Sequence, residues 1–141
     1  MSSSWLCIDA NLVIRLVADP ADEATRKLWV QWDTERRQLA APTLLYYEVA
    51  NALYRYQRLG FLTFSSVQLA LRAALALPVH LYGEADLHQR ALELAQRFFL
   101  PAAYDAHYLA LTEHLGGEFW TADSKLARLV QPSLGWVHLL A

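Results

Sequence analysis

Cys7 is the chain's single cysteine, which excludes an internal disulfide and a thiolate zinc cage. Its place in the apolar run Trp5-Leu6-Cys7-Ile8 predicts a small buried side chain, not a reactive one. An excess of basic residues is also lacking. Twelve Lys and Arg stand against fourteen Asp and Glu, for a net charge of −2, so no global positive field marks a bulk nucleic-acid binder. Nucleic acid is not thereby excluded as a substrate, because a bound metal brings positive charge to wherever acids cluster. No apolar stretch approaches the roughly 20 residues a membrane helix needs. Asp9 also interrupts the first apolar run before it reaches the roughly 7–15 residues of a secretory h-region. The chain therefore reads as a soluble, cytoplasmic protein. Repeats, linkers and low-complexity segments are missing as well. Charged residues make up only 18% against 55% hydrophobic, which excludes a disordered chain and implies that a partner covers some of the apolar surface. With 141 residues, positions 1–141 suit one domain with a real core.

What is present is an alternation of short apolar stretches with helical periodicity. Trp5 to Ile8 reads as a buried strand ending at Asp9, and a short helix follows over about 11–17, closed by Asp19-Pro20. Pro20 is expected to open a second helix with Ala24, Leu28 and Trp32 on one face and Trp29 beside them. Leu39-Ala40-Ala41 is a minimal strand. Pro42 is expected in the first turn of a third helix, which runs to Leu59 and stops at Gly60. Leu45, Val49, Ala52, Leu53 and Tyr56 form its core stripe. Phe61 to Leu77 predicts a fourth helix ended by Pro78, Val79 to Tyr82 a strand, and Glu84 to Phe99 a fifth helix. Along one side of that fifth helix run Ala85, His88, Leu92, Ala95 and Phe99. A sixth helix spans Ala103 to Leu115 before Gly116-Gly117. The strand Phe119-Trp120-Thr121, a helix from Ser124 to Val130 and a strand from Trp136 to Leu140 complete the chain. This pattern predicts an α/β fold, an α/β/α sandwich around a mostly parallel sheet. Strand order is not contained in it.

Four acids occupy telling places. Asp9 follows the first strand and Asp123 lies just past Phe119-Trp120-Thr121. In open α/β sheets, sites form beyond the carboxyl ends of the strands, so the two can meet across the length of the chain. Glu48 borders the apolar stripe of helix three, and Asp105 lies in the first turn of helix six beside Ala106 and Leu109. Each has a plainer explanation. Asp9 could satisfy amides at a strand-to-helix turn, Asp123 could cap the helix from Ser124, Asp105 could answer a helix dipole, and Glu48 could be solvated. Together, four carboxylates at one end of a sheet would repel one another unless neutralised. An all-oxygen set suits Mg²⁺ or Mn²⁺.

The segment Ile8-Asp9-Ala10-Asn11 resembles the opening motif of PIN domains. Pro42-Thr43-Leu44-Leu45-Tyr46-Tyr47-Glu48-Val49-Ala50-Asn51-Ala52-Leu53 is similar to that family's helix with an acid followed by Asn. Tyr104-Asp105-Ala106-His107-Tyr108-Leu109-Ala110-Leu111-Thr112-Glu113 resembles its third acidic motif, and Trp120-Thr121-Ala122-Asp123-Ser124-Lys125-Leu126 its fourth. One such motif is weak, but four in order along nearly the whole chain are strong. The nearest resemblance is to PIN-domain ribonucleases of the VapC toxin type.

That resemblance implies that Asp9, Glu48, Asp105 and Asp123 bind the metal or support its ligands. Thr121 would lie near Asp123, and Asn11 near Asp9. The implied reaction is hydrolysis of RNA phosphodiesters with Mg²⁺ or Mn²⁺, leaving a 5′-phosphate and a 3′-hydroxyl. Asp9 and Asp105 are expected to touch the metal, with Glu48 and Asp123 direct or through water. Arg15, Arg55 and Lys125 are the basic residues nearest the motifs and are candidate phosphate contacts, with solvated surface positions as the equal alternative. His107, about 200° around the helix from Asp105, is expected to face solvent. The resemblance further implies a homodimer and a small antitoxin of the VapB type lying over the acidic cleft. Leu28, Trp29, Trp32, Tyr46, Tyr47 and Tyr54 are expected to supply apolar surface for these partners. The alternative is a catalytically silent PIN-like module that binds RNA or protein, against which the full set of acids argues. An aspartyl-phosphate phosphatase would need a second Asp where Asn11 stands.

Overall fold

Leu6, Cys7 and Ile8 are wholly buried and apolar without alternation, as a strand covered on both faces requires. Around that strand the computed structural model describes residues 4–141, so the first three residues of the expected domain lie outside the described residues. The strands are β1 (Trp5–Ile8), β2 (Gln38–Pro42), β3 (Val79–Tyr82), β4 (Glu118–Thr121) and β5 (Val137–Leu139). The helices are α1 (Ala10–Ala18), α2 (Glu23–Thr34), α3 (Leu44–Arg58), α4 (Phe64–Leu75), α5 (Ala85–Arg97), α6 (Tyr104–Leu115) and α7 (Ser124–Val130). The sheet has the order β3-β2-β1-β4-β5, and every pairing is parallel. The crossovers run outward from β1 to β3, jump back to β4, then run on to β5. Right-handed crossovers place α1 to α4 on one face and α5 to α7 on the other. The packing agrees, with α1 against α3 and α4, and α5 against α6.

Gly116 and Gly117 set the passage from α6 into β4. Gly116 ends the helix at φ 65° in the left-handed region, where glycine has no Cβ to clash. At Gly117 a Cβ would lie 2.5 Å from the carbonyl oxygen of Trp5, so any side chain would push β4 away from β1.

Several expectations shift by local chemistry. Pro42 ends β2 instead of opening the third helix, because β3 still pairs with it. The second helix begins not at Pro20 but at Glu23, where the Asp22 carboxylate accepts from the Thr25 amide. In the fourth helix the cap is Thr63, whose hydroxyl accepts from the Ser66 amide, so Phe61 and Leu62 stay outside it. The largest correction concerns α5. Its buried line is Leu87, Ala91, Leu94 and Phe98, while His88, Leu92 and Phe99 are exposed. Two apolar stripes adjoin on this helix, and packing against α6 selects the one next to the expected line. Trp32 is likewise core and not interface: it is 2% exposed and packs edge-on to Trp29 and Trp120. Tyr46 is half-buried and donates to the Ala74 carbonyl of α4 at 2.8 Å.

Candidate active site

The chain leaves β1 toward β2 on one side of the sheet, while β4 flanks β1 on the other. This reversal of strand order is where open α/β sheets leave a crevice beyond their carboxyl ends. Asp9 stands at its lip, its amide bonded to the Trp120 carbonyl at 3.0 Å, so the end of β1 is tied to β4 where the chain turns into α1. Asp123 lies two residues beyond the end of β4.

A small polar network closes the crevice. Thr121 Oγ1 is buried and donates to Asp9 Oδ2 at 2.8 Å. It accepts in turn from the Asp123 amide at 3.0 Å and from Asn11 Nδ2 at 3.3 Å. Asn11 Nδ2 also reaches Asp9 Oδ2 at 3.3 Å, and its Oδ1 accepts from the Ala122 amide at 3.0 Å. Asn11 and Thr121 thus hold the Asp9 carboxylate between two strand ends. That carboxylate makes no capping bond into α1, but it does accept from the Ala10 amide where the chain turns into the helix, so the turn role and the crevice role coexist. Asp123 does cap: its Oδ1 accepts from the amides of Lys125 and Leu126, at 3.0 and 3.2 Å.

Glu48 and Asp105, both half-buried, reach the same crevice from opposite faces of the sheet, on α3 and α6. Burial, the charge of Asp105 and that of Glu48 push the Asp9 carboxyl up to about 7, against the partial relief of the Thr121 hydrogen bond. Burial, then Asp123 and Glu48, push Asp105 up to about 6. Glu48 is raised by burial, with a hydrogen bond from Tyr108 opposing. Asp9 therefore feels Asp105 and Glu48, Asp105 feels Asp123 and Glu48, and among the described residues no Lys, Arg or His forms an ion pair with any of the four. The donors are all oxygen and carry excess negative charge, which fits a hard divalent cation. Among the described residues no three acid, imidazole or thiol groups stand close enough to hold an ion as they are, so binding would have to draw the carboxylates inward.

Tyr108 is the residue that sequence reasoning missed. It has no solvent exposure, and its hydroxyl donates to Glu48 Oε1 at 2.6 Å. Burial and the charges of Asp9, Glu48 and Asp105 hold the phenol protonated far above its ordinary range. The available signal was its spacing, one helical turn after Asp105 on the same helix.

The three basic candidates are placed unequally. Lys125 is exposed and adjoins Asp123. Arg15 and Arg55 sit one and two helical turns from Asn11 and Glu48, about 6 and 10 Å along α1 and α3, which pack together. His107 is half-buried, not solvent-facing, since its Nδ1 bonds the Ala103 carbonyl at 2.7 Å and its Nε2 meets His88. Cys7 is buried as expected, and burial pushes its thiol up to about 12.

A parallel α/β/α sandwich with four carboxylates at its switch point defines a class of acid-centred proteins. Within that class the chain belongs to the PIN domain family, which matches residues 6–131. Its relatives include Ribonuclease VapC3 of Pyrobaculum aerophilum, 31% identical over 128 residues that cover 86% of this chain and 92% of the relative. Ribonuclease VapC3 of Mycobacterium tuberculosis is 32% identical over 121 residues, covering 86% and 84%. A toxin–antitoxin complex from Klebsiella pneumoniae shares the fold at a TM-score of 0.69 and 19% identity, covering 94% of this chain and 95% of that one. VapBC2 of Rickettsia felis, solved bound to a DNA fragment from its promoter, shares it at 0.66 and 11% identity, covering 89% and 93%. Among the described residues no helix is long and apolar enough to cross a membrane.

Proposed function

We propose that this chain is a Mg²⁺- or Mn²⁺-dependent endoribonuclease, the toxin of a VapBC-type pair, acting in the cytoplasm where its RNA is found. The observation that carries the reading is Asp9: a buried carboxylate, held by Thr121 and Asn11, raised by burial and neighbouring acids and ion-paired with no cation among the described residues. Such a group fits a site built to be completed by a metal. The likeness to the two VapC3 ribonucleases supports RNA as the substrate.

Asp9 and Asp105 would hold the metal directly, with Glu48 and Asp123 direct or through water. When bound, the cation would supply a more acidic water and offset charge on the phosphate. Thr121 and Asn11 fix the Asp9 carboxylate, and Tyr108 fixes one oxygen of Glu48. The cap leaves Asp123 only part of its carboxylate for the site, which favours a role through water. Lys125 would contact the phosphate nearest the site, and Arg15 and Arg55 phosphates further along the strand.

Partners are supported by exposed apolar side chains. Tyr54 and Leu59 on and after α3, with Phe61, Phe64 and Leu69 around α4, are exposed and suit a homodimer. Helix α2 offers a smaller surface than the sequence suggests, because Trp32 is core. Val30 and the half-buried Trp29 remain for an antitoxin of the VapB type.

Incubating RNA with the purified chain tests the nuclease reading. Cleavage is expected with Mn²⁺ or Mg²⁺, to be lost with a chelator and in Asp9→Asn, which should remain folded. Wild-type cleavage by Asp9→Asn would overturn the assignment.

A further inference from the structure

On the β3 side of the same carboxyl edge lies a cavity of about 360 Å³ that the chemistry above does not use. It is lined by Pro42 and Tyr82 at the ends of β2 and β3, and by Tyr47 of α3, His88 of α5, and Tyr104 and His107 of α6. Tyr47 immediately precedes Glu48, and Tyr104 immediately precedes Asp105. Neighbouring strands are about 4.8 Å apart, so the ends of β2 and β3 fall about 5 and 10 Å from the end of β1. The cavity therefore adjoins the acid centre at a distance that a neighbouring nucleotide can bridge.

Its lining is unusual for a surface left to water. Tyr47 is 76% exposed and Tyr104 62%, so packing in the fold accounts for neither ring. The two histidines are ordered by hydrogen bonds. The Ala103 carbonyl can only accept, so His107 Nδ1 donates to it. His107 Nε2 in turn meets His88 Nδ1, 2.9 Å away. That contact orients the His88 ring, a side chain that lines the cavity and whose second ring nitrogen is Nε2.

The geometry points to a nucleobase subsite: an unpaired base of the RNA strand, flanking the bond cut at the acid centre, stacks against Tyr47 and Tyr104. The base then turns its polar edge toward His88 Nε2. Single-stranded RNA is held in this manner, through aromatic faces and the polar edges of unstacked bases. The subsite rests on the ribonuclease reading and deepens it by assigning a contact to base as well as to phosphate.

Short single-stranded RNAs carrying 2-aminopurine at each position in turn, mixed with the chain in a chelator, test the subsite without cleavage. One position should lose fluorescence on binding. Tyr47→Ala and Tyr104→Ala should each weaken binding about tenfold or more, the loss expected of a base–aromatic stack, and should restore that fluorescence. An abasic nucleotide at that position should bind wild type and variants alike. Both residues are exposed, so unchanged thermal melting is expected to confirm the fold of the variants. Equal RNA binding by wild type and both variants overturns the subsite and leaves the cavity to a protein segment. Wild-type protein that cuts no RNA in Mn²⁺ overturns the ribonuclease reading itself, and the subsite with it.

Discussion

Among individual side chains, Asp9 carries the sharpest conflict between burial and charge. Its carboxyl titrates near 7 in the fold against an ordinary 3.8, so without metal the folded state favours the protonated form. The stability this contributes is fully present below about pH 4 and is lost as pH rises through about 7, on the order of a few kcal/mol across that window. Denaturant unfolding of metal-free protein at pH 5 and pH 8 should show this decline, and Asp9→Asn should flatten it. Added Mn²⁺ should oppose the decline, because the ion binds the charged form and so stabilises the fold most at the higher pH. An equal slope in wild type and Asp9→Asn would refute the assignment of the charge conflict to Asp9. Tyr108 gives a second prediction at this scale. Tyr108→Phe keeps the buried ring but removes the donor to Glu48. Cleavage should fall about tenfold and Mn²⁺ should bind more weakly, as when the partner of a metal ligand is removed. Melting should change little, since Glu48 is only half-buried and water can replace the phenol. Calorimetric Mn²⁺ titration that matches wild type would leave Tyr108 a packing residue only.

At the scale of elements, helix α7 shows how one acid can serve two ends. Oδ1 of Asp123 caps the helix, while its charge still raises Asp105 across the crevice. Asn caps as well as Asp, so Asp123→Asn should retain the stability of the metal-free protein while impairing cleavage. Asp123→Ala should lose about 1 kcal/mol in addition. Loss of stability in the Asn variant equal to that in the Ala variant would show that charge, not the cap, matters there. Helix α5 makes a different point. Its two adjoining apolar stripes satisfy a helical period equally well, and the partner helix α6 decides between them. The exposed His88 that results is the one that meets His107. A helical period alone contains no direction toward the core, so the misplaced face and the missed histidine pair have one origin.

For the whole molecule, the exposed apolar side chains of α3 and α4 predict a dimer. Light scattering should give twice the chain mass, and Phe64→Arg, on a residue 60% exposed, should shift the protein to monomer without lowering its melting temperature. A monodisperse wild-type monomer would remove the dimer and leave the nuclease. Much of the rest was already legible in the chain. β1 and β3 appear at the residues expected, α7 appears where its pattern lies, and the parallel α/β/α architecture follows from apolar strands alternating with helices. Asp9, Glu48, Asp105 and Asp123 each stand out in sequence because a carboxylate beside an apolar stripe or strand end is costly to place. These features are local, set by periodicity, capping and the desolvation of single groups, so the sequence by itself determined them. The tertiary structure decided what depends on which neighbour is met: the β3-β2-β1-β4-β5 order, the end of β2 at Pro42, Trp32 in the core, the phenol of Tyr108 on Glu48, and the pairing of His88 with His107. Each is a contact between segments distant in the chain, where many pairings satisfy the same local pattern and only close packing of the whole selects one.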